Sequence, residues 1–267
     1  MKGCLSTKTF SIIALAALLI LTVNGTSAAA GLFGLPQTVS REAGGLNTAI
    51  VYAYHEDKYI NGQEYIIRQN QIYSQVAYGG HSSWEIYGRL GVADLKIFDA
   101  FYSTNVFTIT STNDFTENWK FFGALGAKGF LPINKILGIG AFISGTYYFN
   151  NFTGDVAGTN AGAPFTADLK VQNMWDMNFG IGFQANVPYG TKLYAGPYIY
   201  YSEASVGLSA NIPGLELGTG NILLKNKTNA GGFIGTTIPL TKGFHLNVEG
   251  QYSERLSIGA ALIYTYY

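Results

Sequence analysis

This chain has three histidines, and none stands where hydrolytic chemistry would need it. A serine activated by histidine requires the pair within hydrogen-bond reach, which along one strand means two positions apart. His245 has Asn247 at that place, and His81 is followed at once by Ser82 and Ser83 inside a turn-like Gly-Gly-His-Ser run. Paired aspartates beside an Asp–His couple could activate water, but the acids of the longer linkers, Asp57, Asp114 and Asp155, show no such pairing in the sequence. His55-Glu56-Asp57 could hold a cation but reads better as a solvated loop. The glycine spacings Gly138-x-Gly140, Gly180-x-Gly182 and Gly231-Gly232 lack the helix and lysine of a phosphate-binding loop. The one cysteine, Cys4, lies ahead of an apolar stretch near the start. We therefore expect a non-enzymatic protein with no cofactor, no metal site and no nucleic-acid partner.

The elements that carry these residues begin with a leader. Lys2 and Lys8 supply a basic start, an uncharged apolar stretch runs over about 11–23, and Ser27-Ala28-Ala29-Ala30 closes it. That is the order of a secretory signal peptide, so residues 1–30 are expected to be removed, Cys4 with them. An anchoring helix is the alternative, but the stretch is short of the roughly 20 residues a helix needs to span a bilayer. Without Lys2 and Lys8 the 16 basic residues become 14 against 16 acidic ones, a net charge near −2 that suggests no polyanionic partner.

The rest of the composition is unusual for a soluble domain. Charged residues are 12% and aromatic ones 15%, where a soluble domain approaches about 25% charge. No later apolar run is long enough for a spanning helix; the longest is Ile136-Leu137-Gly138-Ile139-Gly140-Ala141-Phe142-Ile143. In hydrocarbon every backbone polar group must be paired internally, which leaves a closed barrel.

Alternation supports that reading. From Leu169 to Ala185 one face carries Leu169, Val171, Trp175, Met177, Phe179, Ile181 and Phe183, interrupted by Asn173, and the other is polar or small. Residues 244–253, 256–266 and 83–92 alternate likewise, whereas 222–238 do so poorly. Short linkers at 79–82, 132–135, 186–190 and 239–243 are rich in turn residues. They alternate with longer polar ones at 55–63, 99–118, 150–167 and 209–221, as periplasmic turns and external loops do in outer-membrane barrels. The short connection at 253–255 breaks the parity. Aromatic residues sit near strand ends (Tyr78, Trp84, Tyr147, Tyr148, Phe149, Tyr198, Tyr200, Tyr201, Tyr264, Tyr266, Tyr267), where girdles belong. A tyrosine-rich soluble sandwich would explain neither leader nor parity.

The expected fold is all-β: a transmembrane antiparallel up-and-down β-barrel of about ten strands, with eight or twelve as alternatives. A short periplasmic lead-in would occupy 31–45 and the barrel 46–267, with both ends in the periplasm. The final strand, Ser257 to Tyr267, resembles the C-terminal assembly signal of Gram-negative outer-membrane proteins, its paired aromatics Tyr264 and Tyr266 falling one residue early. The run Gly31-Leu32-Phe33-Gly34-Leu35-Pro36-Gln37-Thr38, then Glu42-Ala43-Gly44-Gly45, resembles the lead-in of the OmpA/OmpW-like outer-membrane β-barrel group. These resemblances imply an outer-membrane location, contact with outer-membrane lipid and lipopolysaccharide, and assembly through the barrel assembly machinery.

Within such a barrel Glu85, Arg89, Lys120, Lys128, Asp176, His245 and Glu249 are the candidate lumen-lining polar residues. They either pair and plug the lumen or line a narrow path for small solutes. Ten strands lie little above the roughly eight whose side chains fill the interior, so we expect a narrow or largely occluded porin-like or membrane-organising barrel. The alternative is a surface adhesin or receptor binding a ligand through loops 99–118, 150–167 and 209–221. A lipid-modifying or proteolytic barrel enzyme is the remaining class.

Overall fold

The computed structural model describes residues 45–61, 64–81, 83–100, 109–210, 220–254 and 256–266. The leader, the lead-in up to residue 44, and Tyr267 lie outside the described residues. The strands are β1 (Gly45–Ile60), β2 (Glu64–His81), β3 (Trp84–Ile97), β4 (Ile109–Ser111), β5 (Phe115–Pro132), β6 (Leu137–Tyr148), β7 (Phe152–Asn160), β8 (Ala163–Asn186), β9 (Lys192–Ala210), β10 (Gly220–Asn226), β11 (Ala230–Thr241), β12 (Phe244–Tyr252) and β13 (Leu256–Thr265). All ladders are antiparallel, and one ring closes through β1-β2-β3-β5-β6-β8-β9-β11-β12-β13 and back to β1. The fold is a ten-stranded β-barrel. Closure leaves no exposed sheet edge around the ring.

Even positions of β12 and β13 point outward: Phe244, Leu246, Val248 and Tyr252, then Leu256, Ile258, Leu262 and Tyr266, while Asn247, Glu249, Gln251 and Ser257 are buried. Around the whole ring the outward positions form one apolar belt. It runs from the short-turn rim to Tyr52, Trp119, Tyr147, Trp175, Tyr201 and Tyr252, and holds no Asp, Glu, Lys or Arg among the described residues. β12 is 9 residues long and β13 is 10, the span a tilted strand needs to cross hydrocarbon. Aromatic contacts mark both margins: Tyr78–Trp84 and Phe244–Tyr264–Tyr266 below, Tyr147–Phe149 and Trp175–Tyr201 above. Tyr148, Tyr198 and Tyr200, expected in the girdles, instead turn inward and are buried.

Above the belt the wall is rebuilt. At one level β3 and β5 shift register between Ala93 and Leu95, β6 breaks from β7 at 149–151, β8 bulges at Asn173, and β10 breaks from β11 at 227–229. The poor alternation of 222–238 is that last break. The long linkers also prove largely structured. β1 continues to Ile60, so 55–60 is strand, and 150–167 is the β7–β8 hairpin, turned by Ala161 (φ 50°) and Gly162 (φ 85°). Residues 115–118 belong to β5, and β9 and β10 take the ends of 209–221.

The bulge at Asn173 corrects the face assigned to 169–185. Gln172 pairs with Ser205 and Trp175 with Glu203, so two β8 residues oppose Ala204 alone. One inserted residue moves every later side chain to the other face. Leu169 and Val171 are therefore buried inside, while Met177, Phe179, Ile181 and Phe183 face out. Asn173 takes the extra position at φ 53°, a left-handed conformation that asparagine tolerates. Deleting Asn173 should abolish the folded barrel, read as loss of heat-modifiable mobility on gels, whereas Asn173→Gly should leave stability within about 1 kcal/mol.

Candidate functional site

The lumen is the candidate site, and its inward positions build it in levels. Nearest the short-turn rim, Lys128 Nζ lies 3.1 Å from Glu85 Oε1, with the two side chains 4% and 0% exposed. Asn47 Nδ2 donates to Glu85 Oε2 at 3.1 Å. On the facing wall Tyr194 OH donates to Glu249 Oε2 (2.8 Å), Gln251 Nε2 to Glu249 Oε1 (2.7 Å), and Asn247 Nδ2 to Tyr194 OH and Thr237 Oγ1, both at 2.8 Å. Phe142 and Phe233 meet edge to face across the interior, their centroids 5.5 Å apart. Gly138 and Gly180 make room for such rings: a Cβ there would come 2.1 Å from Phe130 and 2.3 Å from Phe142. That is the crowding expected at inward glycines of a small barrel.

At mid-height the bonds span strands that are not neighbours. Tyr148 OH donates to Gln69 Oε1 (3.0 Å) and accepts from Gln71 Nε2 (2.9 Å), joining β6 to β2. Tyr200 OH donates to Asp57 Oδ1 at 3.1 Å, and the Tyr59 and Ser202 hydroxyls are hydrogen-bonded, joining β9 to β1. Arg89 donates from Nε to Gln75 Oε1 (2.9 Å) and lies over the Tyr73 and Tyr87 rings, 5.1 and 4.8 Å from their centroids. Among the described residues, two cavities of about 10 Å³ each are touched by His55 and Asp176, and each has the volume of about one water.

The interior of the upper tier holds apolar packing. Tyr59, Ile67, Leu95, Ile97, Phe115, Phe152, Val156, Leu169, Val171 and Leu224 are buried in one cluster. Its wall runs β1-β2-β3-β5, then β7-β8-β9-β10 and back to β1 through Tyr59↔Asn226 and Ile60↔Lys225. Between β5 and β7 a carboxylate bridges the walls: Glu117 Oε2 accepts from Thr153 N (2.9 Å) and Oγ1 (3.4 Å). At the β10–β11 break the buried Asn226 amide does similar work, accepting from Ser202 N (2.8 Å) and donating to Thr228 O (2.8 Å).

Of the candidate lumen residues, Glu85, Lys128 and Glu249 are buried inside the ring, and Arg89 and Asp176 face the same interior. Lys120 turns to Glu117 at 3.4 Å, at the β5–β7 seam. His245 lies at the short-turn rim, opposite Pro239 in the β11–β12 ladder. The sequence reading missed Asn226 and Glu117, because their roles depend on breaks that only the assembled wall creates. It also read no pairing for Asp155, yet Asp155 and Asp168 are direct cross-strand partners on β7 and β8. Their pairing needs the hairpin that replaces the expected loop. They line a groove of about 670 Å³ on the outer face of the upper tier, with Thr153, Lys170, Ser209 and Asn221. The hydrogen bond and like charge of Asp168 raise the Asp155 carboxyl above its ordinary value.

No protein-family model matches the chain, and no curated protein matches it. Among solved structures it is similar to the translocator domain of the autotransporter NalP from Neisseria meningitidis, with 13% identity, 96% of this chain and 95% of that one covered, and a TM-score of 0.47. It is also similar to the outer membrane protease OmpT of Escherichia coli, with 13% identity, 87% and 100% covered, and a TM-score of 0.46. A third is the Ralstonia pickettii toluene transporter TbuX, with 9% identity, 85% and 90% covered, and a TM-score of 0.41. Likeness at this level is loose, so the barrel is read from its own ladders, and the OmpA/OmpW-like kinship stays a resemblance.

Two outcomes follow from the charges. Lys128→Met should strand the Glu85 carboxylate and cost about 3–5 kcal/mol, while Glu85→Leu with Lys128→Met should recover most of it; denaturant midpoints measure both. The Asp155 carboxyl should titrate above the ordinary range by NMR and fall back in Asp168→Asn. Because the folded pKa is raised, the repulsion is relieved as pH falls through it and is felt above it.

Proposed function

We propose that this chain is an integral bacterial outer-membrane barrel, exported by its leader, that is closed to solutes and works as a membrane-organising element. The observation that carries the closed state is the lumen itself: bonded polar side chains cross it at mid-height, and the apolar cluster of the upper tier lies above them. A path for solutes would require these bonds to break together, each being worth about 1 kcal/mol net. The apolar belt supports the location. A continuous outward surface of this kind far exceeds the few hundred Å² that soluble monomers expose, and its two aromatic margins fit two lipid–water interfaces. Outer-membrane lipid and lipopolysaccharide are the partners for the belt. The barrel assembly machinery is the partner for β13, where Tyr264 near the strand end meets Tyr266 just beyond it.

The reading is non-enzymatic. His55 faces the lumen cavities and His245 stands at the opposite rim from the Asp155–Asp168 pair. A second reading, binding of a surface ligand, is favoured by the groove beside Asp155, Asp168 and Lys170.

Folded protein in a planar bilayer should be silent; steady steps that depend on the solute would overturn the closed state. Cysteines at Lys135 and Thr112 should label from opposite sides of the outer membrane in intact cells and lysed envelopes, and labelling of both from outside would refute the topology.

A further inference from the structure

Where β1 passes from β13 to β10, the wall is held by side chains as much as by backbone. The β1–β13 ladder ends at His55↔Ser257, and β10 joins β1 only at Tyr59↔Asn226 and Ile60↔Lys225, followed by a bond from Lys227 N to Lys58 O at 2.8 Å. The short β12–β13 connection, an anomaly of linker parity, lies below this junction and ends the wall early there. Four side chains from four different elements stand across it. Lys227 Nζ is 2.6 Å from Glu64 Oε1 and 2.9 Å from Glu254 Oε2, and Lys58 Nζ is 3.8 Å from Glu64 and from Glu254. Charges alternate round this ring. An exposed ion pair is weak singly, and a network of several has more effect.

Behind the ring lies the interior. Ser253 Oγ donates to Tyr200 OH at 3.3 Å, and Tyr200 OH donates to Asp57 Oδ1. Asp57, Tyr59 and Ser202 line one of the two small cavities, together with Asp176. Thus a few side chains separate the outer surface just above the belt from the polar middle of the lumen.

We propose that Lys58, Glu64, Lys227 and Glu254 form an ion latch over a side door in the barrel wall, and that its release connects the outer surface to the cavity beside Asp57 and Ser202. The opening is lateral, so it leaves the apolar cluster above and the Glu85–Lys128 level below in place. Its inner end carries Asp57 and Asp176 beside His55, with Arg89 at the adjoining cavity, so both signs are present and the solute it suits is water or a small polar molecule. This goes beyond the closed-lumen reading, which concerns passage from rim to rim.

The test uses Ser202→Cys as a reporter in full-length protein with Cys4→Ser, probed with a small neutral thiol reagent. With the latch intact at low salt the reporter should stay unlabelled. Glu64→Gln with Glu254→Gln should raise its labelling rate about tenfold or more, the loss of a four-membered network. Salt at 1 M, where the screening length drops to about 3 Å, should do the same without mutation. Exchanging the charges (Lys58→Glu and Lys227→Glu with Glu64→Lys and Glu254→Lys) should restore slow labelling. Heat-modifiable mobility checks folding, and Glu254→Gln alone serves if the double variant fails to fold. Rapid labelling with the latch intact, or an unchanged rate in the folded neutralised variant, would overturn the door. Bilayer conductance decides the closed lumen separately, since a latch variant can label without conducting end to end.

Discussion

The structure depends on one requirement: every backbone N–H and C=O of the wall needs a partner around a closed circuit. Where the strands are regular the ladder meets it, from β1 through β13 and back to β1. Where strands break or end early, at one height above the apolar belt, side chains take over the task. Glu117 does so between β5 and β7 and Asn226 at the β10–β11 break, while the ion ring covers the β1–β10 junction without bonding its backbone. Unsatisfied backbone groups are costly in a buried wall, so these substitutions occur where the ladder changes partners.

The change of partners makes two tiers with different interiors. The lower ring of ten strands holds polar side chains in a hydrogen-bonded lumen beneath an apolar outer surface. The upper circuit of eight strands reverses the arrangement, with an apolar centre and charged outward residues such as Glu56, Lys58, Lys96 and Lys225. The single bulge at Asn173 performs this reversal on β8, sending Leu169 and Val171 inward and Met177 and Phe179 outward. An unbroken β8 would put Leu169 and Val171 on the same outward face as Met177 and Phe179, because a strand's period of two is rigid. The upper tier is therefore a folded body seated on the belt, and the hairpin of β7 and β8 is part of its wall.

Much of this was legible in the residues. Alternation in 244–253 and 256–266, turn residues at 132–135 and 239–243, and the low charge content pointed to an antiparallel barrel of about ten strands, and the ring has ten. Glu85, Lys128 and Glu249 are buried within the ring, since parity within an unbroken strand decides the face. The signal of the bulge was also present: Asn173 interrupts the apolar face. Reading it as a lone exception rather than an insertion put Leu169 and Val171 on the wrong side. The loops misled for a different reason. Polar, glycine-rich 150–167 has loop composition, yet a hairpin above the belt has water on one side and needs no long apolar run.

By itself, then, the sequence determined the closed antiparallel sheet and the apolar belt, because each follows from local alternation with a period of two. Tertiary structure alone decided which inward groups meet. Tyr59 reaches Ser202, Tyr148 reaches Gln69 and Lys227 reaches Glu64 across separations of up to 163 residues. Such contacts depend on barrel diameter, register and strand breaks, which are properties of the closed ring and of no single segment. The short connection at 253–255 shows the difference: in the sequence it only disturbs a pattern, and in the fold it opens the junction that β10 and four charged side chains cover.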